Sequence, residues 1–107
     1  MKTSICLSIV ILVMSISGVA AAENSDARSR AKDLVGTLCI TCHGTNGVSV
    51  MEDFPNLAGQ KPTYLKKQLK DFRDGNRKDP VMTNMAAPLD DEVIEALAEY
   101  FSTAPRN

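Results

Sequence analysis

Tryptophan is absent from the chain, histidine occurs once, and the remaining rings are three Phe and two Tyr. An excess of charge of one sign is missing too. Twelve Lys and Arg stand against thirteen Asp and Glu, for a formal net charge of −1. That balance lacks the basic footprint of a general nucleic-acid binder. Only one long apolar run exists, so a multi-pass membrane protein is excluded. No segment alternates apolar and polar residues convincingly, which leaves no strand to predict. Internal repeats and low-complexity segments are also lacking. What is there, 107 residues at 44% hydrophobic and 23% charged, suits one small globular domain.

The apolar run lies at the start. Met1-Lys2 gives a short positive region, Ile5 to Ile16 is apolar or small, and Ser17 to Ala22 is small, ending in Ala20-x-Ala22. The twelve-residue core is shorter than the roughly 20 residues that span a bilayer. Residues 1–22 therefore read as a secretory signal peptide cut after Ala22, with an uncleaved membrane anchor as the rival. Residues 23–107 then form the mature domain, exported to the periplasm, with no membrane span after cleavage. Its 85 residues carry a formal charge of −2.

Of the three cysteines, only Cys39 and Cys42 lie in the mature domain. A bridge between them would close a loop too short to staple a fold. A domain of this size buries only about 60–65% of its unfolded surface and usually needs a staple, a metal or a cofactor.

Three helices are predicted, which makes the domain all-α. The first spans about Ser25 to Leu38, capped by Asn24 or Ser25, with Ala27, Ala31, Leu34, Val35 and Leu38 on one face. The second spans Pro62 to Asp74, with Pro62 in its first turn, Gly75 at its C-terminal cap, and Leu65, Leu69 and Phe72 as its stripe. The third spans Asp91 to Ser102, capped by Asp90, with Val93, Ile94, Leu97, Tyr100 and Phe101 inward. Between them lie two long loops, residues 39–61 and 75–89. Long loops in a small helical protein are expected to wrap something.

Cys39-Ile40-Thr41-Cys42-His43 supplies that something. Cys-x-x-Cys-His in an exported chain reads as covalent attachment of a c-type haem. The thiols add to the two porphyrin vinyl groups, and the histidine ligates iron. A thioredoxin-like reading lacks its βαβ context. A structural zinc site needs four ligands, and the mature chain offers two Cys and one His. With no second histidine, methionine is the candidate for the other axial position. Met51 is only eight residues past His43 and too close to reach the opposite haem face. Met82 and Met85 sit in the second loop, far enough along to wrap around. Met82 is preferred and Met85 is the runner-up.

The ordered set of motifs resembles the class I c-type cytochromes, in particular the short bacterial module found alone or as half of a dihaem cytochrome. The resemblance covers nearly all of residues 25–104. Its marks are Cys39 to Gly44, Phe54-Pro-Asn-Leu-Ala-Gly-Gln60, Tyr64-Leu65, Gln68-Leu69, Phe72-Arg-Asp-Gly75, Met82-Thr-Asn-Met85, Leu89-Asp-Asp-Glu92 and Ala98-Glu-Tyr-Phe101. In that family the ligating Met lies seven residues before the Leu that opens the last helix, which points to Met82 ahead of Leu89. The resemblance also implies that the Pro55 carbonyl accepts the Nδ1–H of His43, so that Nε2 faces iron. It implies that Leu57 packs on the haem. It departs at the last helix cap, often Ser in the family and Asp90 here.

The implied fold is the class I cytochrome c fold, three main helices and loops wrapped around one covalently bound haem c, with the first and last helices crossing. A six-coordinate haem iron has no open site for substrate, so the expectation is an electron carrier and not an enzyme. The expected role is a periplasmic one-electron shuttle, a monomer working between a donor complex and a terminal oxidase or reductase. The alternatives are a cytochrome subunit bound to a larger dehydrogenase, such as a flavoprotein, and a five-coordinate haem enzyme or sensor. Residues 61–78 carry seven basic and two acidic side chains, while residues 90–99 carry five acidic ones. The basic stretch reads either as a solvated helix face or as a docking face for an acidic partner. Arg73 and Arg77 are also candidates for pairing with haem propionates.

Overall fold

The structure is a computed structural model that describes residues 18–106. Residues 1–17, most of the expected signal peptide, lie outside the described residues. Elements follow in the order α1 (Gly18–Leu34), a π-turn (Val35–Cys39), α2 (Ile40–His43), a 3₁₀ turn (Thr45–Gly47), α3 (Pro62–Asp74), α4 (Met82–Ala86) and α5 (Asp91–Thr103). Among the described residues there is no strand, and no helix is long and apolar enough to cross a membrane.

α1 starts before the predicted cap. Neither Asn24 nor Ser25 stops it, because the Ala20-Ala21-Ala22 run propagates helix well. The Ser25 hydroxyl instead donates back to the Ala22 carbonyl at 2.8 Å. The far end of the predicted face also changes. Ala27, Ala31 and Val35 are buried as expected, but Leu34 is only half-buried and Leu38 is 48% exposed. The π-turn accounts for Leu38. Closing i→i+5 bonds instead of i→i+4 adds a residue to the turn. That rotates Leu38 off the core-facing stripe and puts Cys39 against the core in its place.

α3 begins at Pro62 and ends at Gly75, whose left-handed backbone (φ 83°) caps it. Its stripe is Leu65 and Phe72, buried, with Leu69 half-buried against them. α5 is capped by Asp90, whose carboxylate accepts from the Val93 N–H at 2.8 Å. Val93, Ile94, Leu97 and Phe101 are buried; Tyr100 is half-buried and stands edge-on to Phe101. Small Ala96 and Ala98 complete the inward surface.

α5 is the hub, with α1 and α3 both packed on it. Small Ala27 and Ala31 line the side of α1 that enters the shared core. Ion pairs trim both contacts at the surface. Arg28 meets Glu99 and Arg30 meets Asp90 across α1 and α5. Lys66 meets Glu95, while Lys70 and Arg73 meet Asp91 across α3 and α5. The second loop is not wholly irregular, since it contains α4. Five residues are too few for a helix to stand alone. The fully buried Ala86 ties its end to the core.

Candidate haem centre

The π-turn and α2 carry both cysteines and the histidine as one continuous helical strip. Cys39 and Cys42 are free thiols, each half-buried. Burial pushes the Cys39 thiol above its ordinary pKa. α2 stops at Gly44, whose N–H still donates to the Ile40 carbonyl at 3.0 Å before the chain turns at φ 79°. A side chain at Gly44 would run into the Val48 carbonyl oxygen. The chain can therefore fold back at once beneath His43.

His43 is buried, 8% exposed, and its Nδ1 lies 2.8 Å from the Pro55 carbonyl oxygen. A carbonyl only accepts, so Nδ1 carries a proton, and in the neutral ring Nε2 then holds the lone pair. The Phe54 ring stands edge-on to the imidazole, with centroids 6.4 Å apart. Pro55 is held in place by its surroundings. The Ser49 N–H donates to the Asn56 side chain at 2.7 Å, and the Ser49 hydroxyl lies 3.0 Å from the Cys42 carbonyl. Leu57 and Ala58 N–H groups both donate to the Gly47 carbonyl, and the Gly59 N–H donates to the Phe101 carbonyl on α5. Leu57 is half-buried against the core.

The two candidate methionines differ in setting. Met82 opens α4 and is partly buried against the core cluster. Met85, three residues on, is 42% exposed. Met51 is 43% exposed in the first loop. The start of α4 is held by Asp79, whose carboxylate accepts from the Val81 and Met82 N–H groups at 2.9 and 2.8 Å. Those backbone bonds hold the Asp79 carboxyl below its usual range. Arg73 secures the other end of the loop, donating to the Leu89 carbonyl at 3.1 Å and to Asp91 at 2.8 Å.

This donor set fits a covalently attached haem. Two unpaired thiols three positions apart can form thioethers, a buried imidazole has its iron-facing nitrogen free, and a thioether is half-buried on a separate loop. Among the described residues, no cluster of three His, Cys, Asp or Glu side chains offers a bare metal site instead.

Asp79 and the internal role of Arg73 are additions that the structure makes. Asp79 sits in Asp-Pro ahead of a Met, a helix-start signal that was legible. The bond from Arg73 to the Leu89 carbonyl depends on tertiary packing and left no local signal. Arg73 and Arg77, candidates for propionate pairing, are engaged within the protein. Arg73 binds Asp74, Asp91 and the Leu89 carbonyl, and Arg77 lies 4.6 Å over the Phe72 ring while donating to Gln68. The basic stretch is largely matched as well. Lys66, Lys67, Lys70 and Arg73 all pair with carboxylates, and among the described residues Lys61 and Lys78 form no ion pair.

Comparison with known proteins agrees with this chemistry. The cytochrome c family model matches residues 29–105. The chain is 45% identical over 75 residues to cytochrome c-554(548) of Halomonas halodenitrificans, covering 67% of this chain and 89% of that protein. It is 45% identical over 67 residues to the thiosulfate dehydrogenase electron acceptor of Stutzerimonas stutzeri, covering 60% of this chain and 31% of that protein. The fold is similar to that of Acidithiobacillus ferrooxidans cytochrome c4, with a TM-score of 0.66 and 27% identity over 72% of this chain and 49% of that one. The chain thus spans about half the length of the cytochrome c4 that it resembles. The chain belongs to the cytochrome c family, as a class I domain that binds one haem c covalently and carries electrons.

Proposed function

We propose that the protein is a periplasmic one-electron shuttle in which Cys39 and Cys42 form the haem thioethers and His43 and Met82 are the axial ligands. The carrying observation is the buried His43, held by the Pro55 carbonyl directly after two free thiols. The bond to Pro55 fixes the tautomer and makes Nε2 a better donor. Met82, the more buried of the loop methionines, completes the pair, and its thioether favours ferrous iron relative to a second nitrogen ligand. Leu57 covers an apolar part of the site. When bound, haem supplies the one-electron couple; the protein supplies fixed ligands, so that electron transfer needs little rearrangement. With both axial positions taken, the site offers a substrate no coordination position, which favours a carrier over an enzyme. Optical spectra of the oxidised and reduced holoprotein test this reading. A far-red sulfur-to-iron charge-transfer band in the oxidised form is expected. Carbon monoxide binding at neutral pH by the reduced form would indicate a five-coordinate enzyme or sensor.

Export rests on the residue 1–22 pattern, with cleavage between Ala22 and Glu23. α1 runs through that bond, so its first turn would be lost on maturation. An intact mass beginning at Glu23 is expected; retention of Met1 to Ala22 in the membrane would identify an anchor.

The partners are redox proteins. A free monomeric shuttle between a donor complex and a terminal oxidase or reductase is the first reading. One relative is named as the electron acceptor of a dehydrogenase, which favours a dehydrogenase as the second kind of partner, with this chain docked on it transiently or as a subunit. Gel filtration of a native periplasmic extract separates the two: elution as a monomer supports the shuttle, and co-elution with a larger enzyme supports the subunit.

A further inference from the structure

α4 presents two thioethers three residues apart, Met82 and Met85, on a helix of five residues. Positions i and i+3 lie on neighbouring parts of one helical face. A slip of this segment by about one helical turn would exchange one sulfur for the other. Few buried contacts oppose such a slip. Between Gly75 and Leu89, only Ala86 and Leu89 are buried. The remaining restraint is polar and converges on Asp79. Its carboxylate accepts from the Val81 and Met82 N–H groups at 2.9 and 2.8 Å. Its own N–H donates to the Thr83 hydroxyl at 2.9 Å, and its carbonyl accepts from the Thr83 N–H at 3.1 Å. The Asn84 side chain adds a bond to the Pro80 carbonyl at 3.2 Å. Side chains flanking Met82 thus satisfy the open N–H groups of the first turn reciprocally, as in a capping box.

We infer that the Asp79–Thr83 clamp is a positioning device that fixes Met82, and not Met85, as the sulfur offered to iron. The inference rests on the reading of Met82 as the axial ligand. Asp79 acts by accepting hydrogen bonds at the Met82 backbone, and it touches neither haem nor iron. Removing the acceptor frees the turn and raises the population in which Met82 is off the iron.

The test uses the full-length holoprotein carrying Met85→Ala, so that no second sulfur can replace a displaced Met82, and reads the far-red sulfur-to-iron band of the oxidised form and carbon monoxide uptake by the reduced form at neutral pH. Asp79→Ala is expected to raise the fraction competent for carbon monoxide about fivefold, the equilibrium equivalent of one lost helix cap, and to weaken the far-red band. Asp79→Asn keeps an acceptor oxygen and is expected to stay near the Met85→Ala parent. Thr83→Val removes the reciprocal bond and is expected to move both readouts in the same direction by a smaller factor. Should Asp79→Ala yield no holoprotein, the Asn and Val variants carry the test. Band and carbon monoxide behaviour unchanged from the Met85→Ala parent in Asp79→Ala, or in Thr83→Val where the Ala variant is not obtained, would overturn the clamp. So would an Asn variant as perturbed as the Ala variant. A parallel Met82→Ala separates this outcome from failure of the ligand assignment: if its band survives, Met82 is not the ligand, whatever Asp79 does.

Discussion

The two sides of the haem site are built on different principles. On the histidine side, residues 39–59, the ligand is buried and held by backbone groups. His43 follows both thiols directly, Gly44 folds the chain back, and the Pro55 carbonyl meets Nδ1 at 2.8 Å. On the methionine side, residues 75–89, the proposed ligand Met82 is half-buried on a five-residue helix held by polar side chains, the exposed Asp79 at one end and the half-buried Arg73 at the other. The first side is fixed by sequence-local geometry and backbone sterics. The second is fixed by a few polar contacts, each of modest strength. A site made this way keeps one ligand constant and leaves the other adjustable, and a redox centre is tuned most readily at the adjustable ligand.

The largest expected effect breaks the histidine side. Cys39→Ala or Cys42→Ala removes one of the two proposed thioethers, and the yield of holoprotein should fall sharply. After acid–acetone extraction the wild-type chain should retain its haem, whereas free haem in the organic phase would show that attachment is not covalent. Gly44→Ala comes next. It places a side chain at φ 79° against the Val48 carbonyl and should cost about 3 kcal/mol or more. Denaturant melts of the holoprotein would measure it, and a cost near zero would mean that the turn beneath His43 is not a rigid wall.

Asp90 links the methionine loop to α5, and its loss should cost about 1 kcal/mol as an N-cap. Its carboxyl is held below the usual range, first by the Val93 N–H and then by Arg30; Asp91 is held down chiefly by Arg73. A carboxyl lowered by folding stabilises the protein above its unfolded value, about 3.9, and loses that contribution as pH falls through the folded value. Melts should thus show stability dropping below about pH 4, with a shallower drop in Asp90→Asn. An equally steep drop in that variant would assign the acid limb to other groups. The smallest effect belongs to the α3–α5 surface. Lys66→Ala breaks an exposed pair with Glu95 and should stay within about 0.5 kcal/mol. A larger loss in chemical melts would show that these pairs fasten α3 to the core.

The same contrast explains what could be read in advance. The five-residue motif, the caps Asp90 and Gly75, and the stripes of α3 and α5 are local patterns, and the folded chain follows them closely. Pro55 came with the family likeness and lies where that likeness puts it. What was misread depends on more than local pattern. α1 starts ahead of Asn24 and Ser25 because the helix-favouring Ala run extends it past those two caps. Leu38 was assigned to the core because strict α periodicity does not anticipate a π-turn. α4 was missed because a helix so short is made by Asp79 and Ala86 jointly, one polar and one buried contact. The basic stretch suggested a docking face, but most of its charges meet carboxylates, those of Lys66, Lys70 and Arg73 on α5, nearly twenty to thirty residues away.

The far-red sulfur-to-iron band of the oxidised protein, compared among wild type, Met82→Ala and Met85→Ala, bears most directly on the His43/Met82 centre. The band should be present in wild type, vanish in Met82→Ala with a lowered reduction potential, and persist in Met85→Ala. Loss in Met85→Ala with survival in Met82→Ala would move the ligand one turn along α4, and survival with both methionines replaced would contradict the His/Met centre altogether.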